Sequence, residues 1–322
     1  MYNVESMSTT ALMLINVIIF VALAIPGFIL SKTGIIKDEQ SVSFSKLLLY
    51  VGIPFLIISK TLEIDFNKEA AEIIVFTAII TVVYTFITFF ASYPASAMIK
   101  DFKTRGAAQF SMIFSNNGFL GIPLVAAVFS DAPLVMVSVV IINILTNVFM
   151  YTLGIYLISG DKKNISPKKI FLNPCLIAFI IGMVINLTGL NDSFGYIGEY
   201  SKYLTGIVTP LSMTILGIKL GGINISEIFK KAINYYVSLI KLVILPVIVT
   251  GALLLIRFFV SVPEELIYGI FTAYAMPAAS MSTTFADAYN GDSESTVSFT
   301  LGTTVLSVLT ISLLFFALNA LI

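Results

Sequence analysis

The chain of 322 residues has no histidine, no tryptophan and one cysteine, and only 11% of it is charged. Each shortage excludes something. Histidine is the side chain most used for proton transfer near neutral pH, and it is missing. A lone cysteine, Cys175, permits neither an internal disulfide nor a thiolate metal site, and its apolar surroundings assign it to packing. A soluble domain carries about 25% charged residues, far more than here. The net charge of zero leaves no basic surface for nucleic acid. There is no Gly-x4-Gly-Lys-Ser/Thr phosphate loop and no carboxylate pair inside an apolar run. The sequence therefore predicts no enzyme, no ATP-driven pump without another subunit, and no resident cofactor or metal.

What is abundant is apolar: 58% of residues are hydrophobic. Runs near the ~20 residues that cross a bilayer predict ten helical spans, at about 8–31, 41–59, 70–97, 106–129, 133–158, 173–190, 202–221, 229–257, 265–288 and 295–321. No segment has the two-residue period of a strand, so the predicted class is all-α integral membrane. The first run is too long for a signal-peptide core, and Met1 to Met7 hold Glu5 and no base, so it reads as a retained helix. Twelve lysines and arginines fall on one side of the spans (Lys32, Lys37, Lys100, Lys103, Arg105 and those of the loops at 160–169, 219 and 230–231). Four fall on the other: Lys60, Lys68, Lys202 and Arg257. Positive loops stay cytoplasmic, which puts both termini outside.

The largest basic loop divides the chain into a first five-span half, 1–159, a cytoplasmic linker, 160–172, and a second half, 173–322. Five is odd, so two similar halves must be inverted. They share a pattern: Phe44-Ser45-Lys46-Leu47-Leu48 leading to Pro54 matches Tyr200-Ser201-Lys202-Tyr203-Leu204 leading to Pro210, at an offset of 156. Lys46 and Lys202 are placed to snorkel to opposite interfaces.

Span 4 contains Asn116-Asn117-Gly118-Phe119-Leu120-Gly121-Ile122-Pro123, unsuitable for an unbroken helix. Pro123 has no N–H and its ring opposes the carbonyl of Phe119; each glycine weakens a helix by about 1 kcal/mol. Span 9, its counterpart, carries Pro277-Ala278-Ala279-Ser280-Met281-Ser282-Thr283-Thr284. Paired interruptions in two halves point to a transporter site. Crossed breaks offer half-helix N-termini to an anion, with the amides of Asn116 and Asn117 as donors and acceptors and the hydroxyls of Ser280, Ser282 and Thr283 beside them. Gly118 and Gly121 let a ligand approach the backbone. The hydroxyls fit helix packing equally well. Lys241 lies mid-span, where a lysine costs about 2.5–3.5 kcal/mol on insertion scales; it attracts the anion or pairs structurally, with Asp287 as one partner. Pro54 and Pro210 bend spans 2 and 7. Glu72 lies on a solvated face.

The run Asn116 to Pro123 resembles the fourth-helix motif of the auxin efflux carrier family. Pro277-Ala278-Ala279 followed by Ala286, Tyr289 and Asp292 resembles that family's second crossover. Asn173-Pro174 and Pro210 before Leu216-Gly217 are similar too. The resemblance implies ten helices in two inverted five-helix repeats, with helices 4 and 9 crossing at their breaks, as in the bile-acid/sodium symporter-like fold. It implies a scaffold of spans 1, 2, 6 and 7 that dimerises, and a moving domain of spans 3–5 and 8–10. Asn116, Asn117, Pro123 and Pro277 fall at the crossovers. The short linker matches bacterial permeases for malate or malonate better than plant members with long loops. The expected function is secondary transport of a small organic anion across the plasma membrane by an elevator movement. Sodium or proton coupling, and a membrane ligand sensor without transport, are the alternatives.

Overall fold

The computed structural model describes residues 9–164, 172–190, 201, 203–222 and 224–322. Lys168, Lys169, Tyr200 and Lys202 lie outside these. The described chain is helical: α1 Thr9–Lys32, α2 Glu39–Leu62, α3 Lys68–Ala95, α4 Phe102–Ile113, α5 Asn117–Val128, α6 Pro133–Ser159, α7 Pro174–Leu187, α8 Val208–Gly221, α9 Ile225–Lys230, α10 Ala232–Arg257, α11 Glu264–Ala275, α12 Met281–Ala288 and α13 Ser293–Asn319. Six helices are long and apolar enough to cross a membrane: α2, α3, α6, α10, α13 and the stretch Tyr203–Gly221 around α8. Predicted spans 4 and 9 are each two helices, α4 with α5 and α11 with α12.

Helix starts follow local chemistry. Asn67, Asp101, Asn173 and Asp292 precede α3, α4, α7 and α13, and each accepts from a backbone N–H of the first turn, satisfying a donor that the helix leaves open. Three prolines inside the spans are absorbed by one repeated device. A proline ring opposes the carbonyl four residues earlier. Pro54, Pro123 and Pro246 each follow a five-residue π-helical stretch, Leu48–Gly52, Asn117–Gly121 and Ile240–Ile244, that contains that carbonyl. The wider turn relieves the clash without ending the helix.

The helices associate in two groups. In one, α1 lies along α8, and α2 packs on α7 and α8. Gly27 and Gly217 allow backbone contact between α1 and α8: a Cβ on Gly217 would stand 1.9 Å from the Ala24 carbonyl oxygen, and one on Gly27 2.0 Å from that of Thr214. The Asn186 amide of α7 donates to the carbonyls of Thr61, Leu62 and Ile64, tying off the end of α2. In the other group, α6 packs on α3 and α11, and α4 packs on α3, α6, α10 and α13. Buried apolar residues of α1–α3, α5–α8, α10, α11 and α13 form one large cluster around Ile122, Val139, Ile270 and Phe315.

Candidate transport site

The helix of span 4 unwinds at Phe114–Asn116, just before the glycine-rich motif rather than within it. Span 9 unwinds from Met276 to Ser280. The two gaps cross and pair. Asn116 N–H donates to the Pro277 carbonyl at 2.8 Å, and Ala279 N–H to the Phe114 carbonyl at 3.0 Å, an antiparallel bridge centred on Ser115 and Ala278. Each gap thus supplies the partners that the other lost, the condition for non-helical backbone at membrane depth. The Ala278 N–H is held by the Thr303 hydroxyl of α13 at 3.1 Å. Pro277 needs no donor partner, which suits it to an extended crossing.

Asn116 joins both halves. Its side-chain oxygen accepts from the Phe119 N–H, capping α5, and its amide nitrogen donates to Ser280 Oγ at 3.3 Å. Asn117, 1% exposed, has neither polar side-chain atom hydrogen-bonded. Gly121 sits where a Cβ would lie 3.1 Å from Asn117 Oδ1 and 3.3 Å from Met276 Cγ, tight contacts that a larger residue would relieve only by shifting those side chains. Gly118 has ordinary space around it. Pro123 is buried inside α5, where the π-helical turn before it accommodates its ring, so it does not cause the gap. Ser282 is buried and exchanges a hydrogen bond with Thr300 at 3.1 Å, which binds α12 to α13. Thr283 is half-buried and lines neither cavity described below.

Two cavities meet beside the crossing. A polar one of about 30 Å³ has Asn116, Ser280, Thr300 and Thr304 on one wall and Ser45, Ser212 and Lys219 on the other. An apolar one of about 390 Å³ runs between α1, α8, α5 and α13 and reaches Met276 and Pro277. They share Leu120, Leu216 and Thr304. Ser212, Thr300 and Thr304 went unnoticed in the sequence, Lys219 entered only in the count of cytoplasmic charges, and Ser45 only as part of the paired pattern. The i,i+4 spacing of Thr300 and Thr304 is the one signal that could have marked them. Lys241 stands behind the crossing, fully buried, donating to Ser115 Oγ at 2.5 Å. The pairing with Asp287 is not formed: Asp287 accepts from the Ser293 hydroxyl at an exposed helix end. The reason is position, since Lys241 is buried in the middle of α10 and Asp287 lies at the exposed end of α12. Glu72 is exposed beside Lys68, as its position implies.

A family model described as "Membrane transport protein" matches residues 11–168 and 161–315. The chain is 27% identical over 207 residues to an uncharacterized transporter of Methanothermobacter thermautotrophicus, covering 64% of this chain and 67% of the relative. It is 28% identical over 216 residues to another from Methanocaldococcus jannaschii, covering 63% of this chain and 68% of the relative. The family match and the transporter relatives make the chain a membrane transporter rather than an enzyme. The chain belongs to the membrane transport protein family, that of the auxin efflux carriers.

Proposed function

We propose that this transporter carries small organic anions, carboxylates such as malate or malonate or an auxin-like acid, by alternating access. The observation that carries the reading is where the polar cavity lies. The crossing supplies Asn116 and Ser280 from one helix group, and the other group supplies Ser45, Ser212 and Lys219 across a seam. An anion held there has amide and hydroxyl donors at the crossing and a lysine facing it. Sliding one group along the other would carry the anion from one membrane face to the other, an elevator movement. In this reading the chain has ten spans in two inverted five-helix repeats, forms homodimers through the α1, α2, α7 and α8 group, and sits in the plasma membrane with both termini outside. At about 30 Å³ the polar cavity holds little more than a water, so the anion enters only when the groups part. Asn116, Asn117 and Ser280 form the binding face, with Gly118 and Gly121 leaving room at the backbone; Pro277, without an N–H, and Ala278, whose N–H is held by Thr303, shape it rather than donate to the anion.

Proteoliposomes containing the protein are expected to take up labelled malonate or indole-3-acetate. A hydrogen bond to a charged group contributes about 1.5–3 kcal/mol, so Asn116→Ala is expected to weaken uptake by about tenfold or more. Uptake of neither acid, or unchanged uptake in the variant, would refute the assignment.

A further inference from the structure

Lys241 is the buried titratable group that the binding face leaves unused. Its ammonium has three donors and one hydrogen bond, to Ser115 Oγ. Among the described residues no carboxylate lies within ion-pair distance of it. The ionisable groups of the elements packed on the π-helical stretch Ile240–Ile244 are elsewhere. On α4 they are Lys103 and Arg105, at its start; on α11 they are Glu264, Glu265 and Tyr268 near its start and Tyr274, whose ring stacks on Tyr84 at 3.8 Å. On α13 there is Glu294, in the first turn and paired with Lys231; on α10 itself, Tyr235 and Tyr236 precede the stretch and Arg257 closes the helix. The charge has no built-in counter-ion, yet the residue after its partner, Asn116, lines the polar cavity.

We propose that the protonated amine of Lys241 is the counter-charge for the carboxylate bound at the crossing, so that the anion and one proton bind and travel together. This rests on the anion-site reading above. A buried charge is stabilised by an opposite charge nearby, and linkage is reciprocal: if the proton favours the anion, the anion favours the proton. The Lys241 lone pair takes a proton from hydronium in entering water, forming one N–H bond as one O–H bond breaks. When the carboxylate departs, the N–H bond breaks and the proton returns to water. Five further buried polar atoms without a partner lie on the same two helices: Gln109 Nε2 and Ser111 Oγ in the last turns of α4, and Asn234 Oδ1, Ser238 Oγ and Thr250 Oγ1 on α10. They offer sites for the water that delivers the proton.

Calorimetry of malonate and indole-3-acetate binding, in two buffers of different ionisation heat, tests the coupling. Wild type is expected to take up about one proton per anion bound, with affinity falling about tenfold per pH unit on the alkaline side. Lys241→Arg, whose guanidinium does not titrate, is expected to bind with no proton uptake and no pH dependence. Lys241→Met is expected to lose the uptake and at least tenfold in affinity. Binding by wild type without proton exchange, or proton uptake persisting in Lys241→Arg, overturns the coupling while sparing the anion site. Binding of neither acid overturns both. Should Lys241→Met fail to fold, the wild type and Lys241→Arg decide the matter.

Discussion

Replacing Asn117 by alanine separates a binding role from a structural one, because the two predict opposite changes in stability. The side chain is 1% exposed and both its amide oxygen and its amide nitrogen lack partners. An unsatisfied buried polar group costs about 1–3 kcal/mol, so removing both relieves about 2 kcal/mol or more. Against that stands the cavity left by the lost side-chain atoms, about 1 kcal/mol. The balance favours the variant by about 1 kcal/mol, which corresponds to a melting point roughly 2 °C above wild type. Uptake should fall at the same time if the unpaired amide nitrogen is there to donate to the anion. A residue selected for function in this way stabilises nothing until its ligand arrives. Thermal unfolding in detergent, followed in parallel with malonate uptake in proteoliposomes, reads both quantities. A melting point lowered by about 5 °C or more, with uptake intact, would show that Asn117 is a packing residue and would refute the reasoning.

Two other expectations follow from close contacts and caps. Gly217→Ala places a Cβ against the Ala24 carbonyl and should destabilise by about 1–3 kcal/mol, whereas Gly251→Ala, with nothing within 4 Å, should leave the melting point equal or slightly higher. Equal melting of all three proteins would mean that α1 and α8 do not meet through backbone. Asp292 is pushed up by partial burial, but the hydroxyl and N–H of Ser295, the Thr104 hydroxyl and nearby Lys231 outweigh that and hold it below its ordinary value of 3.8. The stability it lends is therefore complete above that value and lost as pH falls through the lowered one. Melting of the wild type should drop more between about pH 5 and pH 3 than that of Asp292→Asn, and equal drops would remove the cap from any account of acid sensitivity.

The broken spans were legible because amides, glycines and prolines inside a lipid-length apolar run have few other uses. Where the backbone unwinds was not. Pro123 pointed to a gap at Phe119, but the π-helical turn before it absorbs the ring, and the gap falls at Phe114–Asn116 because Pro277 and Ala279 bond there. That choice belongs to a segment some 160 residues away and leaves no local mark. Lys241 was conspicuous from its depth alone, while its partner, Ser115, is a matter of tertiary placement. Ser212, Thr300 and Thr304 were invisible for a different reason: a hydroxyl in a membrane helix usually bonds its own backbone, as Thr304 does with Thr300, and only the folded structure distinguishes those that also line a cavity.

Two backbone hydrogen bonds lash the gap before α5 to the gap before α12. Neither can therefore rise or sink without hauling its mate, and in the sliding movement proposed above a guest gripped by both would be ferried whole, never passed from hand to hand.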